Sequence, residues 1–158
     1  MKYIFVKIQE IMNLKRLAIL TIVLHFFIIV GFAHGIACIG LLEIFGIPTF
    51  FGMGAEDFSF SLIAEYEKSL GASALFALVG HIILITSMYI KSNNKKYRTR
   101  ITGVVFLLVS FYYVAHNLFT DDAALIGFFS GLPFAICSVI LLYRLKKEKS
   151  IFLNRNEV

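Results

Sequence analysis

Residues 17–42 read LAILTIVLHFFIIVGFAHGIACIGLL, with Lys15 and Arg16 just before them and Glu43 just after. The run holds no Asp, Glu, Lys or Arg. Lipid offers no hydrogen-bond partner to a bare backbone, so an apolar run of this kind is expected to span as a helix that satisfies its own amides. A span needs about 20 apolar residues for a hydrocarbon core of roughly 30 Å. Residues 17–42 are therefore predicted to form the first transmembrane helix, long enough to tilt.

The rest of the chain agrees with a membrane protein. Of its 158 residues 59% are hydrophobic and only 16% are charged, and the mean hydropathy is +0.83. A soluble domain carries about 25% charged residues. Three further apolar runs are predicted to span at about 70–90, 101–119 and 123–143. The predicted fold is all-α: one domain over residues 1–158, an integral membrane four-helix transmembrane bundle. Residues 3–14 suit a short amphipathic helix on the inner surface. The run after them is too long for a signal-peptide core and is expected to remain as an anchor.

Orientation follows from Lys and Arg. The N-terminal segment, the turn KSNNKKYRTR at 91–100 and the tail from Arg144 hold all of these cations except Lys68. Lys68 lies in the 43–69 connection, together with Glu43, Glu56, Asp57, Glu65 and Glu67. Both termini are therefore expected in the cytoplasm, in a multi-pass protein of the inner cell membrane. The 43–69 connection is expected outside, where its Phe-rich part forms a short interfacial helix. The basic charge of +5 is thus an orientation signal and a contact for the lipid bilayer, not for nucleic acid.

Helix contacts in lipid are marked by small residues. Gly31/Gly35 and Gly127/Gly131 each form GxxxG, and the second run offers Gly71, Ala74, Ala77 and Gly80. These faces are expected to turn inward, and one of the two GxxxG pairs serves equally well for a homodimer or another membrane protein. Pro133 is expected to kink the fourth helix, and the tail beyond Tyr143 is expected to fray.

No catalytic signature of the phosphate-loop, HExxH or GxSxG kind is present, and the two cysteines, Cys38 and Cys137, form no CxxC. The chemistry-bearing residues are four histidines, all within the apolar runs, where ionisable groups are functional candidates by default. Counted from the basic flanks, His25 and His81 lie about 14 and 15 Å deep, His34 and His116 about 27 and 24 Å. Two depth pairs result.

The outer pair shares its level with polar neighbours. A polar pocket in the outer half of the bundle is expected from His34, Tyr113, His116 and Asn117, with His81 as its floor. Tyr112 and Thr120 continue the same inward stripe. The function expected is a non-enzymatic accessory or small-ligand-binding membrane protein. One rival is a b-type haem or quinone-reactive redox subunit with His34 and His116 as axial ligands. Another is a small cation or proton-coupled transporter. His34, Cys38 and His116 also have ligand types that suit zinc or copper. The plain alternative is that each histidine only hydrogen-bonds across helices, with a stabilisation of about 1 kcal/mol or less.

Overall fold

The computed structural model describes residues 2–32, 35–46 and 66–156. Four long helices carry the fold: α1 (Lys2–Phe26), α2 (Tyr66–Thr86), α3 (Asn93–Ala115) and α4 (Asp122–Asn156). Between α1 and α2 lies a β-hairpin of β1 (Ile29–Phe32) and β2 (Gly35–Cys38). It is followed by a helical turn at Ile39–Leu41 and a π-helical turn at Leu42–Gly46. Of the interfacial helix expected from DFSFSLIAEYEKSL, residues 57–65 lie outside the described residues, and the remainder, from Tyr66, is the start of α2.

The first span is the main correction. Residues 17–42 do not form one helix, because α1 stops at Phe26 and the chain turns into the hairpin. The local sequence explains the change of state. Ile28, Ile29 and Val30 are consecutive β-branched residues, stiff at χ1 and well suited to a strand. Gly31 then admits a close approach: a Cβ there would lie 2.6 Å from Cβ of Ala123 on α4. The strands pair antiparallel, from Ile29 opposite Cys38 to Phe32 opposite Gly35, and Ile39 N–H adds a bond to Ile28 C=O at 2.9 Å.

A hairpin in an apolar setting is tolerated only if its free edges are covered. Bonded and non-bonded pairs alternate in an antiparallel ladder. With Ile28 and Ile39 bonded, the N–H groups of Ile29 and Gly31 face away from β2. Side chains of two helices meet them. Ile29 N–H donates to Ser130 Oγ of α4 at 3.0 Å, and Gly31 N–H donates to the Tyr66 hydroxyl of α2 at 3.2 Å.

Among the described residues, three helices are long and apolar enough to cross a membrane: α2 over Ser69–Thr86, α3, and α4 over Asp122–Lys149. Their ends differ from the expected ones. Most of the basic segment 91–100 is the start of α3, and only Ser87–Ser92 connects it to α2. The tail does not fray at Tyr143. Leu141 and Leu145 continue one buried stripe, Lys149 Nζ lies 5.0 Å from the centre of the Tyr97 ring, and α4 runs on to Asn156. α4 also passes through Pro133 without a break. Its start is capped by Asp121, whose Oδ1 accepts from Ala123 N–H at 2.8 Å.

α2 and α3 cross closely where two glycines meet. A Cβ on Gly80 would lie 2.6 Å from Cδ2 of Leu107, and one on Gly103 would lie 3.0 Å from the backbone N of Leu84. Farther along the same contact, Ser73 Oγ and Ser110 Oγ lie 3.0 Å apart. Gly127 of α4 packs on Val114 and Gly131 packs on the Phe111 ring, so both glycines of that GxxxG meet α3. Gly31 and Gly35 lie in the hairpin and form no helical GxxxG.

Candidate metal centre

The hairpin register decides what meets at its base. Paired residues carry numbers that sum to 67, as in Ile29 with Cys38 and Ile28 with Ile39. Below these pairs the chain is helical on both sides, and the end of α1 with His25 comes beside the turns that carry Glu43. Glu43 sits in the π-helical turn, an irregularity often found at functional sites. It is not at the outer end of a long helix, as a straight residues 17–42 would require. The chain goes up through β1, returns through β2, and brings the carboxylate back to the level of His25.

α2 supplies the third residue. His81 Nδ1 lies 3.0 Å from Glu43 Oε2, and the rings of His25 and His81 meet edge to face with centroids 5.0 Å apart. The depth pairing of His25 with His81 expected from the sequence is therefore present as direct contact. Phe134 of α4 closes the other side of His25 at 4.6 Å. All three polar residues are withdrawn from solvent: His25 is fully buried, Glu43 is 8% exposed and His81 is 6% exposed.

Hydrogen bonding within the group is far from complete. Nε2 of His81 and Oε1 of Glu43 are buried without a partner, and neither ring nitrogen of His25 makes a hydrogen bond of full geometry, although the Leu107 backbone lies near the ring. A buried polar atom left unpaired costs roughly 1–3 kcal/mol. Three of these four atoms are histidine ring nitrogens, and histidines retained only to bond across helices would not leave so many without a full hydrogen bond. One donor atom from each of His25, Glu43 and His81 lies within 4.8 Å of the others. A tetrahedral zinc site with bonds near 2.1 Å spaces its ligand atoms by about 3.4 Å. The Glu43–His81 contact, at 3.0 Å, is somewhat shorter and the three atoms lie within 4.8 Å of one another, so closure asks for side-chain movement of about an ångström or more.

Two imidazoles and one carboxylate form the donor set of zinc hydrolase sites and of the facial triad of non-haem iron(II), both of which keep a position open for a further ligand. One carboxylate and two neutral imidazoles would leave a divalent ion with one positive charge, which an anionic ligand at the open position would offset.

The residues expected to line an outer pocket are placed as follows. His34 lies outside the described residues. His116 follows the end of α3, with Nδ1 3.0 Å from the carbonyl oxygen of Tyr113. Tyr113 stacks on Phe76 of α2 with centroids 5.7 Å apart. The Asn117 backbone carbonyl accepts from the N–H groups of Thr120 and Asp121, each at 3.0 Å. Tyr112 is 62% exposed, which corrects the expected inward stripe.

His81 is separate from these residues. Ser73 of α2 and Ser110 of α3 are level; His81 lies eight residues beyond Ser73, and His116 lies six beyond Ser110 in the opposite direction, an axial offset of about 21 Å. Cys38 and Cys137 are both free thiols, with Cys137 Sγ 3.4 Å from Thr21 Oγ1.

No protein-family model, no curated protein and no solved structure matches this chain. The functional argument rests on the site itself.

Proposed function

We propose that this is a metal-binding integral membrane protein that holds one divalent ion of the zinc or iron(II) class between His25, Glu43 and His81. The reading stands on one observation: three residues of ligand type from three separate chain segments converge in the apolar interior, with four of their polar atoms lacking a full hydrogen bond. A buried water could satisfy two of those atoms, whereas a cation could take a lone pair from all three side chains and offset the carboxylate charge as well. This site is distinct from the outer pocket expected from the sequence, of which His34 lies outside the described residues.

The test is metal stoichiometry. Protein purified in mild detergent, loaded with zinc or anaerobically with iron(II) and then desalted, is expected to retain about one equivalent of one of them. His25→Ala and His81→Ala are each expected to weaken retention at least tenfold while the protein elutes at an unchanged position in size-exclusion chromatography. His81→Asn keeps the side-chain volume closer to the original and guards against a packing artefact. Undiminished binding in both histidine variants would reject the site. Oxidised and reduced optical spectra of the same samples separate a bound ion from a haem.

A further inference from the structure

A second polar group lies at the opposite kind of location, where the bundle meets its basic end. Arg100 is two turns into α3 and only 3% exposed, and its Nε is buried without a hydrogen-bond partner. Lys96 is one turn earlier on the same helix and partly buried, within electrostatic reach of Arg100, of Lys15 on α1 and of Glu148 on α4. Long side chains on a helix lean toward its N-terminus, so Arg100 leans back over Lys96.

Three cations thus share one carboxylate, and the one contact of salt-bridge length among the described residues is that of His81 with Glu43. The helix adds to the imbalance. The first turn of α3 carries no acid, and Ser92 makes no side-chain cap bond there. The positive end of the helix dipole therefore meets Lys95 and Lys96 in place of the acid that would favour it. α4, by contrast, begins with Asp121 and Asp122. A buried guanidinium is costly when its nearest carboxylate, Glu148, is shared with Lys96 and its Nε has no partner, and a guanidinium fork with flanking ammonium groups is suited to phosphate oxygens.

We propose that Lys15, Lys96 and Arg100 form a phosphate-binding site in which Arg100 is the inner contact and the two lysines form the entrance. The gradient of exposure supports this order: Lys15 is open, Lys96 is half-buried and Arg100 is closed off. The position favours the phosphate of an anionic lipid headgroup, because the apolar stretch of α3 begins immediately after Arg100, at Ile101. The site is independent of the metal centre, and its test reads neither histidine nor metal.

The full chain in mild detergent is titrated with phosphatidylglycerol, with diacylglycerol of the same acyl chains, and with inorganic phosphate, and thermal unfolding is followed. Phosphatidylglycerol is expected to raise the midpoint by several degrees, and diacylglycerol to leave it unchanged. The double variant Lys15→Ala/Lys96→Ala is expected to bind at least fivefold more weakly. Lys146→Ala/Lys147→Ala, which removes the same charge from the exposed tail of α4, is expected to bind as the parent does. Arg100→Gln is expected to abolish the shift, and the lysine variants keep the test decisive if that protein does not fold. An equal response to inorganic phosphate would support the same residues and assign them a soluble phosphate compound. Equal responses to the two lipids, or equal losses in the two double variants, would overturn the proposal.

Discussion

His81 follows Gly80 directly, and the place of its ring is set by how closely α2 and α3 approach. At Gly103 the neighbour of an added Cβ is backbone, the N of Leu84 at 3.0 Å, which cannot rotate away. Gly103→Val therefore has to part the helices at the level of the site. Overpacking of a close contact costs typically 1–3 kcal/mol. The variant is expected to unfold several degrees lower than the parent and to bind zinc about tenfold more weakly, although position 103 is not a ligand. Calorimetry and zinc titration in the same detergent check the two effects together. An unchanged zinc affinity would show that the crossing does not position His81.

The same scale shows what the sequence disclosed of the site. Distance from the basic flanks placed His25 and His81 at one depth, and the rings do touch. That inference needed only helical rise, and both residues are in helices. Glu43 was out of reach of it, because an acid beside an apolar run reads as an end marker whenever the run is taken as straight. The available signal was the strand-forming Ile28–Val30 followed by Gly31 and Gly35. A fold-back there brings positions on either side of residues 33 and 34 together, Glu43 and His25 among them.

At the scale of elements, the hairpin is the part that periodicity could not reveal. A continuous apolar run reads alike as a buried helix or as paired strands, and the choice depends on partners distant in sequence. Those partners are Ser130 and Tyr66, which take up the outward N–H groups of β1. Removing one leaves a backbone donor unpaired in an apolar setting, at a cost of roughly 1–3 kcal/mol. Ser130→Ala is therefore expected to raise the population of undocked hairpin about tenfold, since 1.4 kcal/mol is a factor of ten. Cys38, at the end of β2, reports on this. Its reaction with a maleimide is expected to accelerate by that factor, while buried Cys137 on α4 reacts at its parental rate. Equal acceleration at both thiols would mean that the whole bundle loosens and that Ser130 does not act on the hairpin. The helices α2, α3 and α4 were legible because their apolar runs are long, although their ends were not. The basic segments were read as connections, yet Lys and Arg are good helix formers and extend α3 and α4 beyond the apolar runs.

For the molecule as a whole, the arrangement of charge bears on the side from which the metal centre is reached. Lys15, Lys96, Arg100 and Glu148 come from three helices and meet at one end of the fold. His81 is five residues from Thr86, where α2 ends near that basic end, and fifteen from Tyr66 at the other end. The site therefore lies about 8 Å from the near end of its helix and about 22 Å from the far one. Cations flanking spans are retained on the cytoplasmic side, so we expect the basic end in the cytoplasm and the ion to be exchanged from there. Two single-cysteine variants in a background with Cys38 and Cys137 replaced by Ser test the orientation. Asn94→Cys lies near the exposed start of α3, and Phe119→Cys lies at the highly exposed turn before α4. A membrane-impermeant maleimide added to intact cells is expected to label position 119 and to reach position 94 only after the cells are opened. The reverse pattern would place the basic end outside. The distances along α2 would stand, and the metal would then be supplied from the extracytoplasmic side.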